Sequence, residues 1–576
     1  MKYEYITEIG ALSKILPKLE KSPYLFLDTE TAGDRIRLIQ VGNEEEIFVI
    51  DLFDLPSAVE PLKDLISKKG VVGHNLKFDL KFLYRIGIEP YATFDTMIGS
   101  FLIGFERHSL SHVAETLLGK VLDKSLQLSD WSRSVLTPQQ IEYAATDVLV
   151  VRELFFKMTD RLNSLPQPDR GQELLRTRTA RVFGLKNPVA IVEMAFVQEV
   201  AKLEMNGLPV DREEIDRLSR EYEKKLRKMI MDFYIRYRVD PMSPKQIGSL
   251  LKNKLGLNLP ETQKGNISTD DKTLAEFSHV KEVRDILEIR RLKKGLDKLK
   301  EIGSYVKNGR VYPEFKQIGA VTGRMSSSNP NVQNIPRDMR SLFRAEEGKV
   351  FVIADFSQIE LRIAAEYVED PNMIRAFKEG KDMHRYTASL VLEKPEEEIT
   401  KEERQIAKAM NFGLIYGISA RGLSEYAKSS YGVDLDIDSA DTFRKKFFKF
   451  FNRFKDWHEK VKRELKEKEE VSGLTLLGRP YRATTFTDAV NYPIQGTGAD
   501  LLKLAVLMFE VELKKRGLNA NVVNLVHDEI VVECDKEVAE EVRRSLESAM
   551  VQAGRIVLRQ VPVEAESEVN EKWVKG

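Results

Sequence analysis

The 576-residue chain contains a single cysteine, Cys534. No disulfide can form within it, and a cysteine-rich zinc site is excluded. It has no surplus of either charge, since 90 Lys and Arg stand against 90 Asp and Glu. A nucleic-acid partner usually shows as a basic excess, so composition gives such a partner no support and local distribution must decide. No apolar run approaches the roughly 18 residues of a membrane span. The opening Met1-Lys2-Tyr3-Glu4-Tyr5 lacks the basic and apolar regions of a signal peptide. The expectation is a cytoplasmic protein with no membrane partner. There is also no Gly-x-x-x-x-Gly-Lys-Ser/Thr loop, so a triphosphate, if bound, is not held by a P-loop.

What is present is a soluble, multidomain composition. Hydrophobic residues make up 42% and charged residues 31%, and the length implies about three to five domains. Residues 1 to about 160 alternate apolar strands with helical patterns. Tyr24–Leu27, Arg35–Val41 and Ile47–Ile50 read as strands, and Thr137-Pro138-Gln139-Gln140 reads as a capping box opening a helix. The pattern breaks at Leu165-Pro166-Gln167-Pro168. This gives a first domain over 1–165, a linker over 166–188 and a second domain over 189–576, with mixed α/β and α+β character. A basic stretch, Arg290-Arg291-Leu292-Lys293-Lys294 through Lys298 and Lys300, stands out within a helical, charged region. On its own, such a stretch is usually a solvated helix face.

Two acidic constellations carry the chemistry. Asp28 and Glu30, two apart at the end of a strand, leave the same face. Alone they read as a solvated strand end. Asn75-Leu76-Lys77-Phe78-Asp79 follows the short strand Val71–Gly73 and puts another acid at a helix start, and Tyr143 and Asp147 share one face of the capped helix. Four converging acids would repel one another unless divalent cations neutralised them. Oxygen-rich sites suit Mg²⁺ or Mn²⁺, and two such ions can clamp both oxygens of a phosphodiester displacement.

In the second constellation Lys349–Asp355 is a buried-looking strand ending in an acid, and Ser357-Gln358-Ile359-Glu360 reads as a capping box. Asn521–Val526 and Ile530–Cys534 read as strands joined through His527-Asp528-Glu529. Asp528 alone is an ordinary hairpin acid, but with Asp355 it can hold two metal ions on one sheet. Between them Arg404, Lys408, Phe412 and Tyr416, at steps of four, form one helical stripe. The cations suit a triphosphate and the aromatics a base or sugar. An amphipathic core helix is the plainer reading.

The set Asp-x-Glu, Asn-x-x-x-Asp and Tyr-x-x-x-Asp, with Leu128-Ser129-Asp130-Trp131-Ser132 ahead of the last, resembles the DEDDy 3′→5′ exonucleases over residues 20–160. Asp355 through Arg362, Arg404 through Gly417 and His527-Asp528-Glu529 resemble motifs A, B and C of family A DNA polymerases of the bacterial polymerase I type. Thr322–Ser327, Pro330–Pro336, Asp382-Met383-His384 and Pro493–Thr497 match as well, in the family's order across 190–576.

The resemblance implies a ribonuclease H-like exonuclease domain followed by a right-hand polymerase, with thumb at about 205–305, fingers at about 362–486 and palm for the remainder. Asp355 and Asp528 would carry the two metals of nucleotidyl transfer. Arg404, Lys408 and His384 would bind the triphosphate, with Lys408 also protonating the leaving pyrophosphate. Phe412 and Tyr416 would pack near sugar and templating base, Gln358 would line the nucleotide site, and Glu360 would block a 2′-hydroxyl. Asp28, Glu30, Asp79 and Asp147 would hold the exonuclease metals, and Tyr143 would orient the attacking water. Arg324, Gln333, Asn334, Asn491, Gln495 and His527 would contact the primer–template end. Lys264 at the thumb tip and Arg290, Arg291, Lys293 and Lys294 would grip duplex phosphates. The implied cofactor is Mg²⁺, two per site, with Mn²⁺ as substitute. The implied partners are primer–template DNA and deoxynucleoside triphosphates, for a monomer that is nucleoid-associated if its source is bacterial.

Two departures stand out. Thr487 replaces the family's usual Arg four residues before Asn491, and the Gly478–Arg482 turn is short and less basic. Nothing in the chain resembles the family's 5′ flap nuclease. Single-subunit RNA polymerases share the Arg…Lys…Tyr-Gly helix but lack a DEDDy domain and Ser-Gln-Ile-Glu after the first Asp. A nuclease with an inert polymerase-like module would have lost Asp355, Asp528 or Lys408, and all three are present.

Overall fold

The computed structural model describes residues 3–127, 129–262 and 265–575. The chain divides into two compact units. One comprises Met1–Asn206, Phe315–Ser327 and Phe351–Val569, and the other Gly207–Glu314, Ser328–Val350 and Asn570–Gly576. The expected linker, 166–188, lies inside the first unit and carries a short helix, Arg178–Phe183.

The N-terminal part of the first unit is built on a six-stranded sheet. Its strands are β1 (Tyr3–Ile6), β2 (Tyr24–Ala32), β3 (Arg35–Gly42), β4 (Ile47–Asp51), β5 (Gly70–Gly73) and β6 (Ala92–Asp95), in the order β1-β4-β3-β2-β5-β6. The β2–β3–β4 meander is antiparallel, while β5 and β6 extend the sheet in parallel. Leu25, Phe26 and Leu27 are wholly buried, as the apolar run at the start of β2 requires. Helix α1 (Lys77–Arg85) follows β5, and α2 (Pro138–Asn163) packs across the sheet. The capping box at Thr137 is formed, with Thr137 N–H donating to Gln140 Oε1 at 3.0 Å and Gln140 N–H to Thr137 Oγ1 at 3.2 Å.

Helix α3 (Pro188–Asn206) is buried along most of its length, and its carboxylates Glu193 and Glu204 are buried with it. The second sheet comprises β7 (Lys349–Phe356), β8 (Ala520–Val526), β9 (Glu529–Asp535) and β10 (Ala565–Asn570), ordered β8-β9-β7-β10. The same unit carries α4 (Ile359–Val368), α5 (Met383–Leu392), α6 (Lys401–Ile415), α7 (Phe486–Arg516) and α8 (Ala539–Val557); α8 packs on β9 and on α7, α4 packs on α7, and α5 packs on α6.

Four buried charges tie α3, α7 and the Gly478–Arg482 turn together. Arg479 reaches Asp500 through Nε at 2.9 Å and Nη2 at 2.6 Å, and also bonds Glu193; Lys503 Nζ donates to Glu193 at 2.6 Å and to the Gly323 carbonyl at 2.9 Å. Such a cluster is tolerable in a core only because every charge is matched. It also gives Arg479, in the turn noted as poorly basic, a structural role. A second link holds α1, whose Lys77 and Lys81 each donate to Glu204 of α3, at 2.6 and 2.7 Å.

One expected element is not formed. Gln358, at φ 51°, is the N-cap of α4, and no side chain caps that helix. The Ser357 N–H, which Glu360 would accept in a capping box, instead donates to the Glu564 carbonyl at 2.9 Å. The neighbouring chain takes the donor that the box needs, and Glu360 turns elsewhere.

The second unit rests on two long helices, Arg212–Tyr237 and Lys281–Tyr305, packed through Leu226, Phe233, Ile286, Ile289, Leu292 and Leu296.

Candidate active sites

In the N-terminal sheet, Asp28 and Glu30 lie opposite Gln40 and Leu38 of β3, and β2 runs on beyond them to Ala32. Asp79 is in the first turn of α1. The turn before it is fixed by Asp95, whose carboxylate accepts from Asn75 N–H at 3.0 Å and Leu76 N–H at 2.8 Å. Asp79 itself accepts from Thr29 Oγ1 at 2.6 Å. Asp147 and Tyr143 project from α2.

The four acids are close enough to disturb one another. Burial, then the charges of Asp79, Asp147 and Glu30, holds the Asp28 carboxyl well above the usual carboxylate range. Burial, then Asp147 and Asp79, lifts Glu30 to about 8, and burial lifts Asp79 to about 7. Burial raises Asp147 too, despite a cation beside it. That cation is Lys124, whose Nζ lies 3.1 Å from each Asp147 oxygen and 3.5 Å from the Tyr143 hydroxyl. No sequence signal pointed to Lys124, which lies in an irregular segment without periodicity. Among the described residues, no group of three or more His, Cys, Asp or Glu side chains stands in position to hold a metal ion. The chemistry of the four acids nonetheless fits hard cations, because hard cations take oxygen ligands and would relieve the repulsion seen here.

In the second sheet β7 lies beside β9, and the Phe356 N–H donates to the Asp528 carbonyl at 3.4 Å. This contact brings Asp355, at the end of β7, alongside Asp528. The hairpin is tight, with Val526 opposite Glu529. His527 takes up the turn at φ 57°, a conformation that His adopts more readily than bulky apolar residues.

The helical stripe lies on α6. Arg404 Nε donates to Asp382 Oδ2 at 2.8 Å, leaving its terminal nitrogens available. Lys408 Nζ stands 5.7 Å over the Tyr431 ring. The Phe412 ring is 5.7 Å from that of His384. Burial, with Arg404 and then Lys408 adding to it against Asp382, pushes His384 down to about 4, so it is neutral at pH 7. Asn411 Oδ1 accepts from Thr387 Oγ1 at 3.0 Å, which turns Asn411 Nδ2 toward His384 Nδ1, also at 3.0 Å. Nδ1 is therefore the acceptor, and the ring proton resides on Nε2. Tyr416 ends the helix, and its hydroxyl donates to Glu360 at 2.7 Å, while Arg324 Nη2 donates to the other Glu360 oxygen at 2.8 Å. Among the described residues, nothing hydrogen-bonds the buried Gln358 Oε1.

The expected DNA contacts are dispersed. Asn491 and Gln495 are linked on α7, Gln495 Nε2 donating to Asn491 Oδ1 at 3.2 Å, and Thr487 lies one turn before them. Gln333 and Asn334 belong to the second unit, where their N–H groups both donate to Asn331 Oδ1. Lys264 lies outside the described residues. The basic stretch in the second unit is engaged within the chain. Arg290 is mostly buried and donates to the Thr269 carbonyl and Asp271. Arg291 forks onto Glu288, Lys293 pairs with Asp297, and Lys294 pairs with Asp271.

The sequence model of a 3′-5′ exonuclease matches residues 3–163, and that of DNA polymerase family A matches 212–575. DNA polymerase I of Aquifex aeolicus is 65% identical over 575 residues, covering 100% of both chains. DNA polymerase I of Pseudomonas aeruginosa is 30% identical over 99% of this chain and 66% of its own length, and that of Chloroflexus aurantiacus is 28% identical over 99% and 63%. The chain thus spans the whole of one relative and about two thirds of others. A solved structure, the POL domain of Pol1 from M. smegmatis in complex with DNA primer-template and dNTP, superposes with a TM-score of 0.81 at 23% identity over 99% of each chain, and this likeness concerns the fold. A polymerising part and a 3′→5′ degrading part are thus joined on one chain. The chain belongs to DNA polymerase family A, and it is a DNA-directed DNA polymerase with 3′→5′ exonuclease activity. No helix among the described residues is long and apolar enough to cross a membrane.

Proposed function

We propose that the chain extends a primer 3′ end in the second-sheet site and removes mispaired 3′ ends in the first-sheet site. The placement of Asp355 beside Asp528, through the Phe356–Asp528 backbone contact, supports the polymerising site. Divalent ions, Mg²⁺ or Mn²⁺ and two per site, would be held by Asp355 and Asp528, and separately by Asp28, Glu30, Asp79 and Asp147. They would supply charge neutralisation at the attacking and leaving oxygens.

The protein's own groups do the rest. Arg404 offers its terminal nitrogens to the triphosphate, and Lys408 neutralises it and protonates the departing pyrophosphate. His384, being neutral, contributes a hydrogen bond from Nε2 rather than a charge. Phe412 and Tyr416 bound the sugar and templating base, and Gln358 lines the same site. Glu360, held on both oxygens, stands where a 2′-hydroxyl would intrude. Asn491, Gln495, His527 and Arg324 suit the minor groove, where acceptors occur at every base pair and pairing geometry is read without sequence. Gln333, Asn334 and Lys264 belong to the same reading. Tyr143 orients the water in the exonuclease site. The divisions 1–165, 166–188 and 189–576, with palm, thumb and fingers as above, complete the proposal. Arg290, Arg291, Lys293 and Lys294 would each leave the acid it pairs with to grip a duplex phosphate.

The test is extension of a primed DNA template with deoxynucleotides or ribonucleotides, in Mg²⁺ and in EDTA. Deoxynucleotide addition that needs Mg²⁺ is expected. Preferential ribonucleotide addition would overturn the reading.

A further inference from the structure

We propose that Lys124 is a working residue of the exonuclease site, an internal cation that compensates the acid cluster without metal and yields its place when a divalent ion enters. The proposal rests on the reading of Asp28, Glu30, Asp79 and Asp147 as metal-holding acids.

Lys124 Nζ sits symmetrically on the Asp147 carboxylate, 3.1 Å from each oxygen, and 3.5 Å from the Tyr143 hydroxyl. It also lies 5.4 Å over the Tyr143 ring. A cation in that position covers both oxygens that Asp147 could offer a metal and the hydroxyl that would orient the water. Its influence reaches beyond its own ion pair, because its charge also opposes the upward shifts of Asp28 and Glu30. Lys124 lies between helices, in a stretch held by local turns such as Gln127 N–H to the Lys124 carbonyl at 3.1 Å. Its withdrawal therefore needs no helix or strand to move.

An ammonium and a divalent ion cannot share the Asp147 oxygens at contact distance without strong repulsion. Metal entry must displace the ammonium, and the affinity for metal is lowered by the attraction that is given up. An ordinary surface ion pair would have no such coupling to metal.

The experiment uses the full chain carrying Asp355→Ala and Asp528→Ala, so that exonuclease-site binding is read alone, with Mn²⁺ titrated by electron paramagnetic resonance. Lys124→Met is expected to bind Mn²⁺ about tenfold more tightly, the scale of one partly screened charge pair. Lys124→Arg, which keeps the charge, should stay close to the parent. In EDTA, Lys124→Met should melt at a lower temperature than the parent, and Mn²⁺ should raise its melting temperature by more. Equal Mn²⁺ affinity in the parent and Lys124→Met would overturn the inference while leaving the acid assignment intact. Binding unaffected by further Asp28→Ala and Glu30→Ala changes would overturn both.

Discussion

The Tyr416 hydroxyl donates to one oxygen of Glu360 at 2.7 Å, while Arg324 occupies the other at 2.8 Å. Glu360 is thus fixed from both sides, and the Ser357 N–H it would have capped is bonded to Glu564. Glu360→Ala should raise ribonucleotide incorporation about ten- to a hundredfold, the scale of one or two charged hydrogen bonds. Tyr416→Phe should relax it less, because Arg324 still holds the carboxylate. Single-turnover incorporation measures both. Unchanged sugar preference with about 1 kcal/mol lower stability, the scale of a lost hydrogen bond, would mark Glu360 as structural only.

Phe412 brings a bare ring to within 5.7 Å of His384 and no hydroxyl near the expected sugar. Phe412→Tyr should raise dideoxynucleotide incorporation without altering the ribonucleotide preference. Competition between dideoxy- and deoxynucleotides in primer extension checks this, and an unchanged ratio would contradict it.

Arg290 is 16% exposed and bonds Asp271 and the Thr269 carbonyl, whereas Lys294 is 72% exposed. Arg290→Met should destabilise the second unit by about 1–3 kcal/mol, the cost of stranding the buried Thr269 carbonyl. Lys294→Ala should leave stability nearly unchanged. If Lys294 reaches DNA, the slope of log affinity against log salt should fall by roughly one unit in its variant. Denaturant melts and salt titrations separate the two roles.

Glu30 in the folded chain is lifted from an ordinary 4.5 to about 8, mainly by burial and then by Asp147 and Asp79. Between those values the folded state holds a proton that the unfolded state has lost. Without metal, stability must therefore fall as pH rises through that window. In EDTA, Glu30→Gln should raise the melting temperature at pH 8 and lose that advantage near pH 4. Mg²⁺ should stabilise the parent more than the variant. A gain independent of pH would contradict the acid-cluster account.

The parts of the fold readable from sequence are those set by local pattern. The apolar run before Asp28, the Thr137 capping box and the strands flanking His527-Asp528 follow from alternation, capping chemistry and turn residues. The failures are tertiary. The motif at Ser357-Gln358-Ile359-Glu360 is locally a good capping box, but a carbonyl two hundred residues away takes its donor. Arg290 looks like its neighbours in sequence, yet packing buries it. Lys124 and Glu204 carry no pattern at all, and only the fold brings one to Asp147 and the other to Lys77 and Lys81.

If synthesis and 3′ degradation belong to two separate acid sites on one chain, each activity can be removed without the other. The most direct measurement follows a labelled primer–template with a mispaired 3′ end, with and without deoxynucleotides, in Asp355→Ala and in the double variant Asp28→Ala with Glu30→Ala. Asp355→Ala should shorten the primer at the parent rate but never extend it. The double variant should extend matched primers normally and leave mispaired ends untrimmed. Synthesis surviving in Asp355→Ala, or trimming surviving in the double variant, would contradict that separation.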